Sequence, residues 1–90
     1  MQESYTEKRK SLSEALGRVI LNLRQNSNLS VRAVAYSIEI SKSTLLLAES
    51  GKLDPQLSTF CRIAEAFNIK PSNFLKLVEK ELPKNWTFSE

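Results

Sequence analysis

The chain has no histidine and a single cysteine, Cys61. A disulfide framework within one chain is therefore impossible, and the Ser-His and Cys-His catalytic arrangements are excluded. The usual zinc ligands and general bases are also missing, so we expect a non-enzyme without metal or cofactor. One isolated thiol fits a reducing compartment, and we expect the protein to be cytoplasmic.

Long apolar runs are also absent from the sequence. No uninterrupted run is longer than residues 45–48, whereas a membrane-spanning helix needs ~20 apolar residues, so we expect no membrane partner. Residues 1–10 are polar and carry no signal-peptide pattern. The 90 residues, 41% hydrophobic and 26% charged, have the composition of one globular domain. A net charge of +3 permits a nucleic-acid partner but does not by itself indicate one.

Helical spacing recurs along the chain, whereas no stretch alternates apolar and polar residues as a strand would. The third pattern, for example, is opened by Ser41 as N-cap, places Leu45 and Ala48 on one face and stops at Gly51. We therefore predict an all-α domain over residues 11–83, flanked by tails at 1–10 and 84–90. Its five helices are predicted near residues 13–25, 31–38, 42–50, 55–68 and 71–82, with Ser13 as candidate N-cap of the first.

The most informative segment is the junction between predicted helices two and three, which reads AYSIEISKSTL over residues 35–45. The small Ala35 allows two helices to cross closely, a short turn follows, and Ser41 starts a new helix. This is the geometry of a helix-turn-helix, in which the second helix is presented to a DNA major groove.

From about residue 16 to residue 75 the chain resembles the Cro/phage-repressor (Xre-like) helix-turn-helix family, and it is similar in size to phage Cro and restriction-modification controller proteins. The residues that carry the resemblance are Leu23-Arg24, Leu29-Ser30, Val34-Ala35, Ile40-Ser41, Leu45, Glu49, Gly51, Pro55, Ile63-Ala64 and the stretch 67–71. The resemblance implies a compact, lambda-repressor-like domain. It also implies a bacterial or phage transcriptional regulator that binds a pseudo-palindromic operator in double-stranded DNA, sequence-specifically and as a homodimer. It further pairs Arg24 with Glu49 in a salt bridge that orients helix three.

The sequence departs from the family pattern in its turn and on its outward face. Glu39 stands where the family usually has glycine, so a residue with a side chain has to accept a left-handed conformation there. Val31 stands where the family often has glutamine. Leu46 and Leu47 stand where polar or basic residues are common, and the charges between residues 30 and 54 cancel.

Candidate DNA-contacting residues follow from the face that helix three buries. If Leu45 and Ala48 point inward, the outward residues are Lys42, Ser43, Leu46 and Leu47. A lysine and a serine can contact bases or phosphates, and leucines can contact thymine methyl groups. The resemblance places Lys52 beside the sugar–phosphate backbone. Ser30 and Arg32, at the start of helix two, are further phosphate candidates.

Alternative interpretations remain open for three groups of residues. The adjacent Leu46 and Leu47 are also typical of a protein interface, in which case the fold is an interaction module of antitoxin or anti-repressor type that binds another protein. The triplet at residues 8–10 is either an arm that reaches DNA or, as we favour, a solvated tail. Leu77, Leu82 and Trp86 are candidate contacts of a homodimer built on helix five, although the tail could instead pack within its own chain.

Overall fold

Five helices follow one another along the chain, which a computed structural model describes over residues 4–89. They are α1 (Tyr5–Asn26), α2 (Val31–Ser37), α3 (Lys42–Glu49), α4 (Leu57–Ala66) and α5 (Pro71–Lys80). No strand occurs between residues 4 and 89. The predicted all-α, five-helix fold is confirmed.

The first helix begins well before its predicted start at Ser13. Ser4 is the N-cap, and it exchanges hydrogen bonds with Glu7 in a capping box: the Glu7 N–H donates to Ser4 Oγ at 3.2 Å and the Ser4 N–H donates to Glu7 Oε1 at 3.3 Å. Ser13 is buried inside the helix. The prediction was wrong because residues 5–11 offer little apolar periodicity, the signal on which it relied. Residues 5–10 of the predicted tail are therefore helical, and its residues 1–3 lie outside the described part of the chain.

The start of the fourth helix, in contrast, was predicted too early. Helix α4 begins at Leu57, after Gln56 in an extended conformation that makes no side-chain cap, so Pro55 precedes the helix instead of opening it. Pro71 does open α5, as its missing N–H and fixed φ favour.

The hydrophobic core draws side chains from every helix. Helix α1 packs against α3 and α5, α2 packs against α3, and α4 packs against α5. The largest fully buried side chains are Ile20, Val34, Leu45, Ile63, Phe74 and Val78. Helix α3 therefore rests on α1 through one face and leaves its other face open to solvent.

Gly17 permits the close contact between α1 and the end of α3. A Cβ atom at this position would lie 2.6 Å from the Glu49 carbonyl oxygen and 2.7 Å from that of Ala48. Both neighbours are backbone atoms, which cannot rotate away. A side chain at residue 17 would therefore force the two helices apart.

The segment after α5 packs within its own chain. The Phe88 ring lies 4.9 Å from the ring of Trp86 and 5.6 Å from that of Tyr5, measured between centroids. Leu77 and Leu82 are half-buried against the core. Of the two alternatives for the C-terminal tail, these contacts correspond to packing within its own chain instead of in a homodimer interface.

Candidate nucleic-acid interface

The turn between α2 and α3 is fixed by local hydrogen bonds. Helix α2 ends in a Schellman motif, in which the Ile40 N–H donates to the Ala35 carbonyl at 3.1 Å and the Glu39 N–H donates to that of Tyr36 at 3.2 Å. Glu39 has φ 58°, so the expected left-handed conformation is present. Ser41 then caps α3 by accepting a hydrogen bond from the Thr44 N–H at 3.0 Å.

A residue of α4 also supports this turn. Arg62 donates from Nη1 to the carbonyl oxygen of Ile38, the C-cap of α2, at 3.0 Å. The carbonyl groups of a helix end lack intrahelical partners, so a guanidinium is a suitable donor there. The role of Arg62 could not be predicted from the sequence, because the contact joins residues far apart in the chain and leaves no local signal.

Arg24 and Glu49 join α1 to α3. The Arg24 Nε donates to Glu49 Oε2 and its Nη2 donates to Oε1 at 3.1 Å, a two-pronged contact whose side chains are only 19% and 7% exposed. The hydrogen bonds that Arg24 donates to the Glu49 carboxylate raise the pKa of Arg24 above its ordinary value. The Arg24 Nη1 also donates to the Leu29 carbonyl at 3.1 Å. The pair thus holds the end of α3 to α1 and to the segment that leads into α2.

The outward face of α3 carries the four residues singled out in the sequence. Leu45 and Ala48 are fully buried, whereas Leu46 and Leu47 are 44% and 45% exposed. Lys42 and Ser43, in the first turn of α3, are exposed as well. The face therefore presents an ammonium group, a hydroxyl group and an apolar pair side by side.

The candidate phosphate-contacting residues lie in the chain segments before and after α3. Lys52 is exposed, and its N–H donates to the Leu47 carbonyl at 3.0 Å, so it follows directly on the last turn of α3. Ser30 caps α2 by accepting from the Ala33 N–H at 3.0 Å, and Arg32 is exposed in the first turn of that helix.

The candidate dimer contacts are only partly available. Leu77 and Leu82 are half-buried against the protomer's own core, and Trp86 is half-buried beside Phe88. Leu57, 78% exposed on α4, and Leu75, 45% exposed on α5, are more accessible apolar side chains. These two flank an apolar groove of about 240 Å³ between α1, α4 and α5.

Other kinds of site find little support in residues 4–89. No cluster of three or more Cys, Asp or Glu side chains there is arranged to hold a metal ion. None of the described helices is both long and apolar enough to cross a bilayer. Cys61 is a half-buried free thiol on α4.

Comparisons with known proteins agree with this geometry. A family model described as a helix-turn-helix domain matches residues 15–74. Among solved structures, the chain is similar to an HTH_3 family transcriptional regulator from Vibrio cholerae, with a TM-score of 0.72 and 25% sequence identity. The match covers 90% of the present chain and 46% of that regulator, so the chain spans less than half of the regulator's length. A search of curated proteins gave no match.

Proposed function

The chain belongs to the helix-turn-helix domain family, of the Cro/phage-repressor (Xre-like) type, and from this premise we propose that it is a DNA-binding transcriptional regulator. The observation that carries the proposal is the outward face of α3. It is exposed beyond a turn fixed by the Schellman motif, and the Arg24–Glu49 pair holds its end in place. Such a regulator would act in the cytoplasm of a bacterium or of a phage-infected cell.

In this proposal α3 enters the major groove. Lys42 donates to guanine or phosphate oxygens and Ser43 contacts either bases or phosphates, whereas Leu46 and Leu47 contact thymine methyl groups. Because leucine cannot hydrogen-bond, specificity rests more on apolar contact and DNA shape than on two-pronged hydrogen bonds. Lys52, Ser30 and Arg32 contact the sugar–phosphate backbone around the groove and set the register of α3.

We further propose that the regulator is a homodimer on a pseudo-palindromic operator. One domain of this size makes few base and phosphate contacts, and two-fold symmetry doubles them. Of the contacts expected from the sequence, Leu77, Leu82 and Trp86 offer only the edges that their own protomer leaves exposed. Leu57 and Leu75, which flank the apolar groove beside α5, add the accessible apolar surface that such an interface needs.

The proposal is tested by DNA binding to duplexes selected from a random pool, measured by fluorescence anisotropy at several salt concentrations. Lys52→Ala should weaken binding to all duplexes alike and lower the log–log salt slope by about one unit. Leu47→Ala should instead change which sequences the pool yields. Lys76→Ala, an exposed lysine on α5, is the matched control and should leave both readouts unchanged.

The outward leucines favour a second candidate function. Two adjacent apolar side chains, each nearly half exposed, also suit a protein partner of antitoxin or anti-repressor type. If the wild-type chain binds no duplex at low salt, this interaction function replaces the first. Leu46→Ser and Leu47→Ser should then impair partner binding, whereas Lys52→Ala should not.

A further inference from the structure

The N-terminal part of α1 reaches the loop that follows α3. Arg9 donates from Nε to Asp54 Oδ2 at 2.8 Å, so a residue from the predicted tail contacts the segment just beyond Lys52. The two segments enclose an open cleft of about 390 Å³, here called the α1–loop cleft. Its polar lining is Thr6, Arg9, Lys10, Ser13, Lys52 and Asp54.

The charges of this cleft favour an anion. Arg9 and Asp54 neutralise each other, and the contact raises the pKa of Arg9 above its ordinary value. Lys10 and Lys52 are exposed, and neither forms an ion pair with another residue in the range 4–89. Among the residues that line the cleft, two positive charges therefore remain. Thr6 belongs to the same lining, and Glu14 packs against its Gly51.

The cleft adjoins the face of α3 that is proposed to enter the groove. The backbone N–H of Lys52 donates to the carbonyl oxygen of Leu47, whose side chain belongs to that face. DNA seated on α3 would consequently bring its sugar–phosphate backbone towards the loop, where Lys52 and Lys10 share one cleft.

We propose that the α1–loop cleft binds a backbone phosphate of the DNA duplex into which α3 is inserted, an inference that rests on the proposed function. Lys10 and Lys52 contact the phosphate oxygens. Arg9 is a positioning residue: it neutralises Asp54, whose carboxylate would otherwise repel a phosphate close to Lys52. We assign the occupant as a phosphodiester of bound DNA. Both lysines are exposed, so salt strongly screens their charges, and a free anion would gain little binding free energy in the cleft. A duplex held by α3 presents its phosphate at a high effective concentration.

The first test measures the salt dependence of binding of the full chain to its selected duplex. Lys10→Ala should lower the log–log slope by about one unit, as Lys52→Ala does, without changing the preferred sequence. Lys84→Ala, an exposed lysine outside the cleft, is the matched control and should leave the slope unchanged. Inorganic phosphate should compete with the duplex no better than chloride at equal ionic strength. Competition by phosphate that disappears in Lys10→Ala would mean a free-anion site and overturn the assignment to DNA.

The second test separates neutralisation of Asp54 by Arg9 from a merely structural role of the pair. Arg9→Ala should weaken DNA binding severalfold, whereas Asp54→Asn should strengthen it, and Arg9→Ala should have a smaller effect in the Asp54→Asn background. A merely structural pair would instead make Asp54→Asn bind more weakly and melt earlier. Both side chains of the pair are exposed, so we expect melting temperatures close to that of the wild type.

The outcomes distinguish the cleft from the proposed function itself. If Lys52→Ala lowers the salt slope and Lys10→Ala does not, the cleft assignment is wrong and DNA binding by α3 stands. If the wild-type chain binds no duplex at low salt, the cleft assignment and the proposed DNA-binding function are both overturned.

Discussion

Glu39 adopts the left-handed backbone conformation, which other helix ends of this chain place at asparagine or glycine. Helices α1, α3 and α4 are followed by Asn28, Gly51 and Asn68, each with positive φ, and α2 by Glu39. Glycine adopts positive φ at low cost because it has no Cβ, and asparagine because its short side chain can hydrogen-bond to the nearby backbone. In glutamate the Cβ clashes with the following carbonyl oxygen, and no such hydrogen bond offsets the clash. The turn on which the whole interface depends therefore contains strain at one residue.

Replacing Glu39 with glycine should relieve that strain. The left-handed conformation costs roughly 1–2 kcal/mol for a residue with a side chain, and the added flexibility of glycine in the unfolded chain offsets about half of this. We expect Glu39→Gly to raise the free energy of unfolding by about 0.5–1 kcal/mol in urea denaturation. Glu39→Ala keeps the Cβ and removes the charge, so it should bring no comparable gain. Equal stabilisation by both variants would assign the effect to charge instead of backbone strain.

The Arg24–Glu49 pair should be more costly to break than to remove. Both side chains are largely shielded, so either partner left alone keeps a poorly solvated charge. We expect Glu49→Ala to lower the free energy of unfolding by about 2–4 kcal/mol. The double variant with Arg24→Ala should lose less than Glu49→Ala alone, because it leaves no unpaired charge. Because the contact with the Glu49 carboxylate raises the pKa of Arg24, protonation of Arg24 adds stability that is fully present just below its unfolded pKa and is lost as the pH rises through the folded pKa. Strict additivity in the double-mutant cycle would show that the two charges do not interact.

Single residues differ in how well the sequence predicts them. The outward positions of Leu46 and Leu47 follow from helical periodicity once Leu45 is buried, and the left-handed Glu39 follows from the turn position it occupies. The contacts of Arg9 with Asp54 and of Arg62 with Ile38 could not be predicted, since no local pattern indicates which distant group a long cation reaches.

At the scale of elements, helix caps could be predicted from the sequence because they act locally, whereas contacts between elements could not. Ser30 and Ser41 start their helices through hydrogen bonds three residues along the chain. The first turns of α1 have no apolar stripe, and they pack instead through contacts such as the Tyr5–Phe88 ring pair. This is why the helix was predicted to begin too late and its N-terminal residues were assigned to a tail.

Gly17 provides a test in which two element-level effects have opposite signs. Helix propensity alone predicts that Gly17→Ala stabilises α1 by about 1 kcal/mol. The added Cβ would, however, meet the Ala48 and Glu49 carbonyl oxygens well inside contact distance. We expect overpacking to dominate, with a net loss of about 1–3 kcal/mol in denaturant unfolding and a loss of DNA affinity, because α3 is displaced. A stabilised variant with unchanged DNA binding would mean that α1 and α3 can separate without consequence.

At the scale of the whole molecule, two adjacent surface regions differ in chemistry, and the linings of both include Ser13 and Asp54. The outward face of α3, Lys52 and the α1–loop cleft combine cations with an apolar pair, which suits DNA. The groove between α1, α4 and α5 is mainly apolar, with Leu57 and Leu75 at its edges. The fold class was predictable because it depends on the sum of helical patterns. Which of the apolar side chains remain exposed depends on packing, and for that reason the sequence pointed to Leu77 and Leu82 instead.

Assembly is therefore tested best at the exposed leucines. We expect the wild-type chain to have the mass of two chains in light scattering at tens of micromolar. Leu75→Glu should raise the dimer dissociation constant at least tenfold, since a leucine buried from each protomer contributes roughly 1.5–3 kcal/mol and a buried carboxylate costs more. Tyr36→Glu is the matched control: Tyr36 is 85% exposed on α2, away from the groove, so its replacement should leave the dimer intact.

The same variant links assembly to DNA binding. If two protomers read the two halves of the operator, Leu75→Glu should bind the full operator about as weakly as a single half-site, whereas the wild type should strongly prefer the full operator. Loss of dimerisation without loss of this preference would show that the two protomers bind independently. A wild-type chain that remains monomeric at tens of micromolar, both free and on the operator, would contradict the homodimer and leave the single domain as the unit that binds DNA.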